Sequence, residues 1–138
     1  MKRKVGFYPR HLVQLLTRPH HIISIGEKGD GLQLSTTHHS ILRLEFDDIY
    51  DPLEGYRLFS YNDTQRILSW LEELPEDCTF VIVHCEAGIS RSAAVAQFMI
   101  NHMDYELHED PFSRNDFRNA NPHVYGMLRR AHYERYHT

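Results

Sequence analysis

Cysteine is scarce in this chain. Only Cys78 and Cys85 occur among 138 residues. The run between them reads as a strand, and seven residues at ~3.3 Å each hold the two roughly 20 Å apart. A disulfide needs Cα atoms within about 7 Å. The two should therefore be free thiols, which suits a reducing, cytoplasmic setting. Long apolar runs are also missing. None nears the ~20 residues that cross a bilayer, so no membrane-spanning helix is expected. The basic start, Met1-Lys2-Arg3-Lys4, leads into no sustained apolar segment, so no signal peptide is expected. A surplus of positive charge is lacking too: the formal net charge is -4. Broad nucleic-acid-binding surfaces are usually strongly basic, so the balance disfavours a nucleic-acid partner. There is no CxxC and no HExxH, and although histidines number 11, the adjacent pairs His20-His21 and His38-His39 do not have metal-ligand spacing. Neither a metal nor a cofactor is expected.

What is present fits one soluble domain over residues 1–138. Apolar residues at 41% and charged residues at 25% are ordinary for a globular protein with a core. No repeat, low-complexity tract or linker interrupts it. Short strands are expected at Val5–Phe7, Ile22–Ile25, Ile41–Phe46 and Thr79–Val83. Leu12, Leu15 and Leu16 suggest a helix over Arg10–Thr17, stopped by Pro19. Ile67, Trp70, Leu71 and Leu74 mark a helix over Thr64–Leu74, capped by Asn62 or Asp63. Further helices are expected over Ser92–Met103, over Phe112–Asn119 behind Asp110-Pro111, and from Asn121-Pro122 to Tyr136. Strands alternating with helices predict an α/β fold: a central, mainly parallel sheet flanked by helices. Ligands of such sheets sit at the carboxyl ends of the strands.

That is where the most informative stretch falls. Between the strand ending at Val83 and the helix starting at Ser92 lies His84-Cys85-Glu86-Ala87-Gly88-Ile89-Ser90-Arg91. A strand, a tight loop and a helix N-terminus make an anion cradle, because the first helical N–H groups lack internal partners and carry partial positive charge. Cys85 would add a nucleophile and Arg91 a planar charged fork for phosphate oxygens. Unpaired surface charge and an inert buried thiol are the competing reading of a cysteine and an arginine six positions apart. His84, Gly88 and Ser92 argue against it.

His84 to Ser92 matches HCxxGxxR[S/T], and the chain resembles the cysteine-dependent protein tyrosine phosphatases, most of all their small dual-specificity branch. Outside the loop the likeness is one of pattern. The resemblance implies a phosphatase-type fold and hydrolysis of phosphate monoesters on proteins, phosphotyrosine first, through a phosphocysteine. Cys85 would attack as a thiolate, the form that a helix N-terminus and a nearby guanidinium favour. Backbone N–H groups of Glu86, Ala87, Gly88, Ile89, Ser90 and Arg91 would form the phosphate nest, with Gly88 turning where a Cβ would clash. Arg91 would bind two oxygens bidentately. Ser92 would stabilise the departing thiolate, and His84 would order the loop.

The leaving group needs a proton from elsewhere. The family takes it from an aspartate after an upstream strand. Asp48 fits best, with Asp47 the alternative and Asp51 behind them, although the spacing from Asp48 to Cys85 is slightly longer than usual. Asp110-Pro111 reads as a helix cap. Glu86 at a variable loop position, with no lysine there, favours phosphoprotein over phosphoinositide. An RNA 5′-phosphatase, a non-catalytic phosphate-binding module and a sulfurtransferase or arsenate reductase remain rivals. The arsenate route would want a second cysteine near Cys85.

Overall fold

The computed structural model describes residues 2–137. Five strands form a single all-parallel sheet. In chain order the elements are β1 (Arg3–Pro9), α1 (Arg10–Val13), β2 (His21–Gly26), β3 (Ser40–Glu45), α2 (Tyr61–Glu72), β4 (Phe80–Cys85), α3 (Arg91–His102), β5 (Tyr105–Leu107) and α4 (Pro122–Tyr136). The sheet order is β3-β2-β4-β1-β5. This is the expected α/β architecture, consistent with a protein tyrosine phosphatase-like fold. β4 is central because it is apolar on both sides: Val81, Val83 and Cys85 on one face, Ile82 and His84 on the other, all buried. Continuous burial of this kind is the mark of a parallel strand covered on both faces.

One face carries most of the core. Val5 and Phe7 of β1, Ile23 and Ile25 of β2, and Val81 and Val83 of β4 pack with Ile67, Leu68, Phe98, Met99, Val124 and Leu128 from α2, α3 and α4. A fully buried Phe or Leu contributes about 1.5–3 kcal/mol. The other face has a smaller cluster of Tyr8, Val13, Ile22 and Ile82, supported by Leu12 and Leu16. α3 starts directly after the cysteine loop and is buried along nearly its whole length, including Arg91 and Ser92. No helix of the described residues is long and apolar enough to cross a membrane.

Four elements differ from expectation. The helix expected over Phe112–Asn119 is irregular chain. Its Ser, Asn and Asp residues compete for the backbone, and Phe112 and Phe117 are spaced too widely for one helical stripe. Asp110 caps a turn there, accepting from the N–H groups of Phe112 (2.6 Å) and Ser113 (2.8 Å). α1 ends at Val13, four residues short of Thr17. α2 begins three residues early, because Ser60 and Asp63 form a reciprocal capping box, a pairing visible as Ser60-x-x-Asp63. β5 was not expected: Asp104, with φ of 64°, turns the chain out of α3 so that three residues pair with β1.

Candidate active site

The carboxyl ends of β1, β2, β3 and β4 lie together, as parallel pairing requires, and they deliver Arg10, Glu27, Phe46 to Asp48 and the cysteine loop to one edge. Cys85 ends β4 and is 2% exposed. Its Sγ lies 3.1 Å from Ser92 Oγ and 3.4 Å from the Ser92 N–H. The two contacts come from the first turn of α3, so the sulfur sits over that helix's N-terminus.

The loop between them is turned by its neighbours. Arg10 N–H donates to Glu86 O (3.1 Å), Arg114 Nη2 to Ala87 O (3.1 Å) and Asn121 N–H to Ser90 O (3.1 Å). In a planar trans peptide the carbonyl and the next N–H point opposite ways. Drawing those three carbonyls outward therefore aims the N–H groups of Ala87, Gly88 and Arg91 into the concavity. Among the described residues, no N–H from Ala87 to Arg91 donates to another backbone carbonyl. Gly88 has φ of +73°, and a Cβ there would stand 2.5 Å from Pro9 N and Tyr8 C. The close approach is possible because Gly88 has no side chain and Pro9 has no N–H.

Arg91 is 4% exposed. Its Nη1 donates to Phe46 O (2.8 Å), and its Nη2 pairs with Glu27 Oε1 (2.9 Å). Its Nε is buried with no partner. The guanidinium is thus gripped through both terminal nitrogens and offers a donor that still needs an acceptor. Phe46 and Glu27 were not singled out by sequence. The only available signal was position: each follows directly on a strand end.

His84 is 1% exposed and shares a 2.6 Å hydrogen bond between Nε2 and Ser24 Oγ. Burial pulls its pKa down to about 4. It is neutral at neutral pH and supports the loop through β2. Glu86 is largely exposed, and its carboxylate lies 3.4 Å from Arg10 Nη1, which also meets Asp30 at 2.9 Å. The carboxylate oxygens of Glu27, Asp30 and Glu86 come within 4.8 Å of one another. The Arg10 and Arg91 guanidiniums already engage all three, so their geometry alone gives a cation little unbalanced charge.

Of the aspartates, Asp48 reaches the cysteine loop and Asp47 does not. Asp48 Oδ1 accepts from Ser90 Oγ (2.7 Å) and Asn121 Nδ2 (2.9 Å). Asp47 turns away, accepting from the Arg57 N–H at 2.7 Å, and Asp51 is solvent-exposed. Asn121, fully buried, was read only as a helix cap. It does cap α4 through Oδ1, accepting from His123 and Val124, and its Nδ2 also holds Ile49 O (3.1 Å). Ile89 is 42% exposed at the mouth. Cys78 is buried away from this edge, its thiol donating to Phe80 O.

No protein-family model matches the chain, and no curated protein matches it.

Proposed function

We propose that this chain is a cysteine-dependent phosphatase, resembling the dual-specificity branch of the protein tyrosine phosphatase superfamily. Its substrates are phosphate monoesters on proteins, phosphotyrosine foremost and phosphoserine or phosphothreonine as well, and its proposed setting is the reducing cytoplasm. One arrangement carries this reading: Cys85 Sγ held by Ser92 at the start of α3, with the unpaired, buried Nε of Arg91 at the same helix start. A nucleophile and an orphaned cationic donor in one cradle fit a bound phosphoryl group better than an inert thiol.

In the proposed reaction, inward N–H groups and Arg91 Nε bind the phosphoryl oxygens. The Cys85 thiolate forms a bond to phosphorus while the bond to the leaving oxygen breaks. Asp48 gives that oxygen its proton through Oδ2, since Oδ1 is taken by Ser90 and Asn121. Water then attacks the phosphocysteine, passes a proton to Asp48 and releases inorganic phosphate. The Ser92 hydroxyl stabilises the departing sulfur.

Cys85→Ser should bind 4-nitrophenyl phosphate and fail to turn it over. Normal turnover by that variant would refute the mechanism. Asp48→Asn should slow alkyl phosphates, whose leaving groups need the proton, by about 10²-fold or more. Asp47→Asn should change them little, and equal losses would place the acid elsewhere.

A further inference from the structure

Asp47 is next to the proposed acid, yet its carboxylate faces the other way, toward the segment that returns to α2. Residues 46–60 run from the end of β3 to the start of α2 and carry Asp48. The segment is tied at its base. Asp47 N–H donates to Arg57 O (2.8 Å), and Arg57 N–H donates back to Asp47 Oδ2 (2.7 Å). The Arg57 guanidinium reaches on to α2, where its Nη2 meets both carboxylate oxygens of Asp63, at 3.1 and 3.2 Å. Asp63 is fully buried, and Ser60 fixes it through its N–H (2.9 Å) and Oγ (3.0 Å). A buried carboxylate with its donors in place is a stiff anchor. Beyond the tie, residues 50–56 are exposed. Among the described residues the only hydrogen bond they make is internal, Tyr56 N–H to Leu53 O (3.0 Å). Asp48 is the first residue past the tie. Ser90 and Asn121 hold it through Oδ1 alone, and Asn121 steadies the chain beyond it through Ile49 O (3.1 Å). The support on the β3 side is Asp47.

We infer that Asp47 and Arg57 are positioning residues: anchored on Asp63, they fix the backbone that carries Asp48 and so set how well its Oδ2 delivers the proton. This rests on the phosphatase reading and on Asp48 as its acid. Arg91 is insulated from the tie. Its acceptor Phe46 O belongs to a residue that is fully buried, bonded through its own N–H to Gly26 O (2.9 Å) and packed on Phe59 at 4.8 Å between ring centroids. Attack by Cys85 should therefore survive loss of the tie, and proton delivery should not. The two neighbouring aspartates then have separate tasks, one holding the loop and the other protonating the leaving group.

The test compares kcat/KM for phenyl phosphate and 4-nitrophenyl phosphate, since phenol is the poorer leaving group and needs the proton more. This ratio ends at cleavage of the ester bond, so hydrolysis of the phosphocysteine does not enter. Asp47→Ala removes the acceptor of the Arg57 N–H, whereas Asp47→Asn keeps one. Arg57→Lys keeps a charge beside Asp63 and loses the planar fork. Asp47→Ala should lower kcat/KM for phenyl phosphate about 10- to 30-fold, and for 4-nitrophenyl phosphate no more than about threefold. Arg57→Lys should lower the phenyl phosphate value about fivefold. Asp47→Asn should leave both substrates within about threefold of the unsubstituted protein. In Asp48→Asn protein, adding Asp47→Ala should cost nothing further, because no acid is left to position. Equal losses on both substrates, an Asp47→Asn variant as slow as Asp47→Ala, or a full additional loss on top of Asp48→Asn would overturn the inference and leave the phosphatase reading standing. No turnover of either substrate by the unsubstituted protein would refute the phosphatase reading and this use of the tie with it. Amide hydrogen exchange reads the tie without turnover: the amides of residues 47 and 49 should exchange about tenfold faster in Arg57→Lys protein, and unchanged exchange would overturn the inference by itself.

Discussion

Cys85 closes β4 at its carboxyl end, and Cys78 stands just before its amino end. His84 and His21 make a second such pair, one at each end of the sheet. Both cysteines are buried and free, yet their surroundings differ. Cys85 Sγ receives the Ser92 N–H at a helix start. Cys78 has only Phe80 O to donate to, and burial pushes its thiol pKa up. His84 is fully enclosed and bonded to Ser24. His21 is half-buried, stacks on His39 at 5.0 Å between ring centroids, and has its pKa lowered by burial and by that neighbour. At the carboxyl end of a parallel sheet the next element begins with free N–H groups, whereas at the amino end the chain arrives from a loop. Direction along the strand, more than residue type, separates a thiol held at a helix start from one that is only packed.

The largest effect expected from this contrast is on turnover. Cys85→Ser should lower hydrolysis of an aryl phosphate by at least ~10³-fold. Cys78→Ser should leave it intact while costing about 1 kcal/mol of stability, measured by urea unfolding. Equal losses in both would erase the difference between the two ends. Ser92→Ala comes next. Losing one hydrogen bond to sulfur should slow turnover about 10- to 100-fold, with the covalent intermediate accumulating in a rapid-quench experiment. A slower first step without accumulation would assign Ser92 to attack instead.

A pH effect is smaller and separates the two histidines. In the unfolded chain His84 takes a proton near the usual 6.5, but in the fold only near about 4. Between those values the unfolded state binds more protons, so stability is complete above 6.5 and falls as the pH drops toward 4. The loss should be about 3 kcal/mol from His84, read as the pH dependence of the urea midpoint. His84→Asn should flatten that component. His21→Ala, at the partly exposed end, should leave it in place.

The strand–loop–helix around Cys85 was legible in the sequence because its determinants are local: a β-branched run, a glycine, and an alanine-rich helix. The Asn121-Pro122 start of α4 was legible for the same reason. The rest of the site depends on long-range register. Nothing in the sequence placed Glu27 on Arg91, Phe46 O on the same guanidinium, or Asn121 on Asp48. Those contacts arise only once five parallel strands align their carboxyl ends. The helix expected over Phe112–Asn119 failed because Asp110-Pro111 is a turn signal as readily as a helix start. There Arg114 N–H bonds Phe7 O, in β1, and tertiary bonding displaces the local pattern. β5 was missed because three residues carry too little periodicity to read.

Acid quench during turnover of an aryl phosphate by Ser92→Ala, followed by mass analysis of the peptides containing Cys85 and Cys78, tests whether Cys85 is the nucleophile. One added phosphoryl group is expected on Cys85 and none on Cys78. Turnover with no phosphoryl group on Cys85, or with one on another residue, would contradict it.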